Sequence, residues 1–123
     1  AKLPLYWRNA RAVVTHALMT RAELGQLTLK KPRLGKTTSP SWTPAVIKAA
    51  RSAMWSRVIP PLRPDARRIH VSGHTPMTEV GRPLDGIIRI DTGCVYGKRL
   101  TAYCLEADEL LSVPSETKWK QQA

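Results

Sequence analysis

Three prolines, at positions 60, 61 and 64, fall within five residues of one another, and no regular element passes through such a cluster. Proline lacks the N–H that helix and sheet interiors require, and it pushes the residue before it toward extended geometry. The chain therefore divides into two stretches joined by a stiff connector over residues 59–65. The charge divides at the same place. Residues 1–68 hold 14 Lys and Arg against Glu23 and Asp65 alone, whereas residues 69–123 hold 6 against 7 acids. The surplus of the whole chain, +11, thus resides in the first stretch. A field so one-sided repels itself in an isolated fold and favours an anionic partner.

Before the connector, residues 10–14 read as a short strand running into Thr15-His16, and residues 17–24 as a helix that Gly25 ends. Residues 29–40, where Lys30, Lys31, Arg33 and Lys36 mix with two prolines, read as an extended basic loop. The main helix is predicted over residues 44–58. Ser41 or Thr43 can cap it, Pro44 suits its first turn, and Val46, Ala50, Ala53, Met54 and Val58 share a stripe. Beyond the connector, strands are expected over 69–72, 87–91, 100–106 and 110–113. The organisation is a basic strand-loop-helix segment over 1–68, a β-rich segment over 69–113 and a polar tail over 114–123 in which Trp119 is a lone ring. That is a mixed α+β or α/β class with one main helix and a basic extended loop.

At 123 residues with 42% hydrophobic content, one compact domain is expected, and no apolar run approaches the roughly 20 residues of a membrane span. No membrane partner is implied. Cys94 and Cys104 fit neither a disulfide framework nor a CxxC knuckle, which predicts reduced thiols in an intracellular, reducing compartment. The opening residue, Ala1 and not Met, is compatible with a cleaved transit peptide. Lys30, Lys31, Arg33, Lys36, Lys48, Arg51, Arg67 and Arg68 are the candidate contacts for RNA phosphates or another anion.

The run Ile69-His70-Val71-Ser72 leads straight into Gly73-His74-Thr75-Pro76. A strand that ends in glycine can turn sharply and present an imidazole at the rim of a sheet, where a metal ion could sit. His70 lies on the strand pattern and is read as structural. Cys94 has no partner histidine implied by sequence, and Gly97-Lys98-Arg99 lacks the frame of a P-loop.

Residues 87–102 read IIRIDTGCVYGKRLTA. GHTP followed by IDTG, VYG and LTA resembles the C-terminal half of the calcineurin-like metallophosphoesterases, in the branch of bacterial and phage protein phosphatases and diadenosine tetraphosphatases. Ala12-Val13-Val14-Thr15-His16-Ala17 resembles the strand and V-H-A-G element of that family, with Leu18 in place of the glycine, and Trp55-Ser56-Arg57 resembles its W-x-R segment. The resemblance covers residues 10–113. It implies part of a β-sandwich in which His74 and His16 are ligands of a two-metal centre. Asp91 is then a turn-forming carboxylate near the ligands, and Tyr96 and Leu100 are packing residues.

Two ions held about 3.5 to 4 Å apart need a bridging carboxylate and several further ligands. The family takes these from D-x-H, GDxxDRG and GNH elements, and none of the three occurs here; the only asparagine is Asn9. The expectation is therefore a non-catalytic, phosphoesterase-derived component of a larger assembly, a ribonucleoprotein such as an organellar, mitochondrial ribosome. Its partners would be RNA and the protein chains that complete the fold, with no cofactor for this chain alone. The alternative is the C-terminal fragment of an active phosphoprotein or dinucleotide phosphatase whose N-terminal half supplies the missing ligands. Only in that case would His16 and His74 hold Mn or a similar divalent pair.

Overall fold

The computed structural model describes residues 4–32 and 42–116. Arg33, Lys36, the cap candidate Ser41 and Trp119 lie outside them. At the centre is a four-stranded sheet in the order β1 (Trp7–Arg8), β2 (Ala12–Thr15), β3 (Ile69–Ser72) and β4 (Ile87–Arg89). β1 and β2 are antiparallel, while β2, β3 and β4 run parallel. Asn9 makes the turn between the first two. Its Oδ1 accepts the N–H groups of Arg11 and Ala12, both at 2.8 Å, so the one asparagine of the chain serves a turn. β1 is two residues long, too short to show any alternation, and the sequence reading missed it.

Parallel neighbours require a crossover, and the one from β2 to β3 carries both helices, α1 (Arg21–Lys30) and α2 (Pro44–Trp55). α1 is not the helix expected over 17–24. Thr20 caps it and forms a capping box with Glu23, which places the first turn at Arg21 and leaves residues 17–19 as buried, irregular chain. Gly25 does not end it; burial of Leu24 and Leu27 outweighs the roughly 1 kcal/mol that glycine costs in a helix. The helix stops at Lys31, which takes the left-handed conformation with φ 49°. Leu29 and Lys30 are therefore helical and not part of a loop.

α2 begins as its caps direct, with Thr43 accepting the Val46 N–H and Pro44 in the first turn. It ends at Trp55, short of the expected Val58. Val46, Ala49 and Ala53 are buried, and the two alanines join Leu5, Val13, Met19, Leu24 and Leu27 in one apolar cluster. Complete burial of side chains the size of Leu27 or Met19 contributes about 1.5–3 kcal/mol each. The Ser52 hydroxyl donates to the Glu23 carboxylate and clasps the helices together. Burial acts to raise the Glu23 pKa, but the bonds from Ser52 and Thr20 hold it below its ordinary value.

The register sets Val13, His70 and Ile87 in one row and Thr15, Ser72 and Arg89 in the next. Val13 belongs to the cluster under the helices, so both rows face them, and Val14 and Val71 point to the opposite side. Strands from before and after residue 68 thus join in one sheet, β2 pairing directly with β3. The charge boundary is not a break in the fold.

After β4 comes a short 3-10 turn, Cys94–Tyr96, between left-handed Gly93 and Gly97. β5 (Arg99–Cys104) and β6 (Glu109–Pro114) then form an antiparallel hairpin. Among the described residues the result is a mixed α+β architecture with two helices and two sheets, the longer helix being the main one expected. Tyr96 and Leu100, expected to pack, are exposed, Leu100 at 58%, because no second layer covers this side of the hairpin among the described residues.

Candidate metal centre

Parallel strands all end at the same edge of a sheet, and the residues that follow them gather there. Thr15, Ser72 and Arg89 close their strands as register partners, so His16, Gly73-His74 and Ile90-Asp91 emerge side by side. The two histidines are 58 residues apart in sequence, yet His16 Nε2 lies 3.1 Å from His74 Nδ1. Their ring centroids are 4.9 Å apart. Backbone bonds hold the loops in this arrangement: Gly73 N–H donates to the His16 carbonyl at 2.9 Å, Ile90 N–H to Ser72 at 2.9 Å, and Met77 N–H to Asp91 at 2.8 Å.

His74 carries φ 69°, and the Thr75 N–H donates back to the Gly73 carbonyl at 2.8 Å. This is a γ-turn of the rare, strained hand centred on the histidine. Conformations of this kind cost about 1–3 kcal/mol and persist only where the surroundings impose them.

Behind His16 the chain is pinned by a buried network. Thr15 Oγ1 is 2.6 Å from the Ala17 carbonyl and 2.6 Å from His70 Nε2. The hydroxyl has one proton, and the carbonyl can only accept it, so the histidine ring must donate to the hydroxyl. His70 is therefore the Nε2–H tautomer, and its Nδ1 is left without a partner in the described structure. Burial pushes the His70 pKa down to about 4, opposed by the charge of Asp65, and the ring is neutral at pH 7. Ala17 in turn donates its N–H to the Ala53 carbonyl at 2.8 Å, using one of the orphan acceptors at the C-terminal end of α2. That end of the helix carries partial negative charge and lies next to the histidine pair.

A cavity of about 350 Å³ opens at this edge, with His16, His74, Asp91, Val14 and Leu100 on its walls. Asp91 Oδ1 accepts the Gly93 N–H at 3.1 Å, the turn-forming role. The Thr92 hydroxyl donates to the Arg99 carbonyl at 2.8 Å and ties the turn to β5. One neighbour was marked in the sequence only through the W-x-R likeness, with nothing to place it beside His74. Trp55, the last residue of α2, stands with its ring centroid 6.0 Å from that of His74 and nearly perpendicular to it, at 83°.

Two imidazole nitrogens 3.1 Å apart suit a shared cation. With metal–nitrogen bonds of about 2.1 Å, two ligands at right angles stand about 3 Å apart. The pair fits part of a coordination shell only. Among the described residues no three His, Cys, Asp or Glu side chains converge on one point. The candidate anion contacts lie elsewhere. Lys30, Lys31, Lys48, Arg51 and Arg67 are exposed and none is on the cavity wall. Arg68 is committed to structure, pairing with Asp65 at 3.0 Å and donating to the Asn9 carbonyl at 2.6 Å.

No family model matches the chain. Curated proteins do. The bis(5'-nucleosyl)-tetraphosphatase PrpE [asymmetrical] of Oceanobacillus iheyensis is 33% identical over 119 residues, which cover 92% of this chain and 43% of that protein. The protein of the same name from a Geobacillus species is 32% identical over 120 residues, 91% of this chain and 44% of its own length. That of Bacillus subtilis is 43% identical over 51 residues, 42% of this chain and 20% of its own length. The chain spans less than half the length of these curated relatives.

Their names overturn the expectation of a ribonucleoprotein component. The relatives are bacterial enzymes named as tetraphosphatases, and neither a ribosomal nor a mitochondrial nor an RNA-binding role has support among them. Surplus positive charge reports attraction to polyanions in general and does not separate nucleic acid from a polyphosphate. The absence of GDxxDRG and GNH was read as a loss of catalysis, but it follows equally from having less than half of the enzyme's length. Over most of its residues the chain is thus related to the calcineurin-like metallophosphoesterases, through bis(5'-nucleosyl)-tetraphosphatases of which it spans less than half.

Proposed function

We propose that these residues form the histidine-bearing part of a metal-dependent phosphoesterase that cleaves bis(5'-nucleosyl) tetraphosphates, with His16 and His74 holding one ion of a Mn or similar divalent pair. The carrying observation is the 3.1 Å approach of His16 Nε2 to His74 Nδ1 at the carboxyl edge of three parallel strands. When bound, such a pair polarises phosphoryl oxygens and brings a water toward a pKa near 7. The chain's own part is to hold the two imidazoles side by side, with ring nitrogens 3.1 Å apart. The γ-turn at His74 aims one ring, and the Thr15 and Ala17 bonds fix the backbone on either side of the other.

The remaining ligands then come from residues outside this segment, in the same polypeptide or in a companion chain. Apolar surface supports that view. Val14 and Leu100 at the cavity, and Leu111 and Val113 on the hairpin, are exposed; a second sheet laid over this side would bury them and complete a β-sandwich. The free thiols Cys94 and Cys104 support an intracellular, reducing setting.

The test is hydrolysis of bis(5'-adenosyl) tetraphosphate by the protein as naturally encoded, with and without added Mn, alongside Mn binding by calorimetry. His74→Ala and His16→Ala should each lower Mn affinity by at least tenfold and remove most of the turnover. Retention of both Mn affinity and hydrolysis by His74→Ala refutes the assignment.

A further inference from the structure

We propose that Trp55 is the platform on which a nucleobase of the substrate stacks. The inference rests on the phosphoesterase reading and adds to it the residue that recognises the nucleoside. Trp55 is the last residue of α2 and does not belong to the buried stripe of Val46, Ala49 and Ala53. It is 71% exposed, so packing within the described fold does not account for a large ring at this position. Its place is nonetheless well defined. The Ala53 carbonyl, one turn-end away, is held by the Ala17 N–H at 2.8 Å, and this bond seats the end of the helix against the loop that carries His16.

The ring contact it makes is with His74, at 6.0 Å and 83°. Perpendicular rings touch edge to face, and such a contact leaves indole face open to solvent. A nucleobase is a flat π-system of matching size, and every base has such a face, so stacking here would be tolerant of base identity. A phosphoryl group drawn to an ion on His74 has its base one ribose further out, and Trp55 stands beside His74 with its ring centroid 6.0 Å away. The platform therefore sits where a 5'-nucleoside arm would project. A substrate lacking bases gains nothing from it.

The experiment compares Trp55→Ala and Trp55→Phe with the unsubstituted protein as naturally encoded. Steady-state kinetics are measured on bis(5'-adenosyl) tetraphosphate and on inorganic tripolyphosphate, and Mn affinity by calorimetry. Adenosine 5'-monophosphate binding is followed without turnover as quenching of tryptophan emission, with Trp55→Phe giving the contribution of the other tryptophans. Loss of base stacking on alanine substitution corresponds to about a tenfold or greater change. In Trp55→Ala the rise in KM for the dinucleotide should exceed any change with tripolyphosphate by at least that factor, and Trp55→Phe should recover most of it.

Equal losses on both substrates, or a KM for the dinucleotide that does not change, overturn the platform while leaving the phosphoesterase reading intact. A protein that hydrolyses neither substrate, yet shows Trp55-dependent quenching by adenosine 5'-monophosphate, loses the phosphoesterase reading and keeps the nucleoside platform. Quenching that is the same in Trp55→Phe and the unsubstituted protein counts against the platform in either case. Circular dichroism of Trp55→Ala separates misfolding from lost recognition, and the Phe variant carries the test if the Ala variant does not fold.

Discussion

His70 should make this fold acid-sensitive well above the range in which carboxylates titrate. Its ring is completely buried, donates through Nε2 to Thr15 and titrates at about 4 against an ordinary 6.5. The unfolded chain therefore binds a proton as pH falls through 6.5, while the folded chain does not until pH nears 4. Stability contributed by the neutral ring is complete above pH 6.5 and drains away between 6.5 and 4. Each unit of separation corresponds to about 1.4 kcal/mol, so lowering pH from 7.5 to 4.5 should cost roughly 2–3 kcal/mol through this residue alone. Glu23 and Asp65 have pKa values held below their ordinary 4.5 and 3.8. Their contributions are lost as pH falls below those ordinary values, so the window above 4.5 isolates the histidine. The assay is urea unfolding in the presence of a chelator at half-unit steps from pH 7.5 to 4.5, on the natural protein and on His70→Leu. Leucine fills the space, and the Thr15 hydroxyl keeps its bond to the Ala17 carbonyl. The substituted protein should lose most of the pH slope across this window. An equal slope in the two proteins refutes the tautomer and burial argument together.

Two further substitutions test the same structure. Thr15→Val leaves the His70 Nε2–H buried without an acceptor, for a loss of about 2–3 kcal/mol, read as a lower urea midpoint at unchanged m value. Because Thr15 precedes His16, the same substitution should weaken Mn binding more than a core truncation of equal cost, such as Val13→Ala, does. Gly93→Ala forces an L side chain to φ 78° and brings a Cβ to 2.9 Å from Lys98 Cδ. The Lys98 side chain can swing aside, so the expected loss is the backbone cost of about 1–2 kcal/mol, checked by thermal unfolding with a circular dichroism readout; a change below about 0.5 kcal/mol removes the case for glycine at this turn.

The elements that could be read in advance were those whose determinants lie within a few residues. The caps of α2 and the strand at Ile69–Ser72 follow from Thr43 and Pro44 and from an apolar run ended by Gly73, and β5 and β6 were expected as strands though not as partners. α1 was misplaced because Gly25 is a plausible stop when judged locally. Its start is set by a local capping box of Thr20 with Glu23, whereas its passage through Gly25 rests on burial of Leu24 and Leu27 and on the clasp of Glu23 to Ser52 of α2.

The basic residues show the same limit. Arg68 looked like a phosphate contact and is instead spent on Asp65 and the Asn9 carbonyl. The ribonucleoprotein reading was drawn from charge and from missing motifs, neither of which specifies a partner, and the relatives corrected it.

His74 could be singled out because glycine and histidine after a strand form a local pattern that family likeness strengthened, and His16 because Ala12 to Ala17 resembles a second element of that family. That the two nitrogens stand 3.1 Å apart, that Trp55 stands beside them and that His70 is held neutral were decided by tertiary structure alone. Each depends on β2, β3 and β4 pairing in parallel register across 50 or more intervening residues between β2 and β3. Sequence periodicity encodes which face of a strand is apolar; it carries no record of which strands become neighbours. That choice is made by burial of the common core, and the site is its consequence.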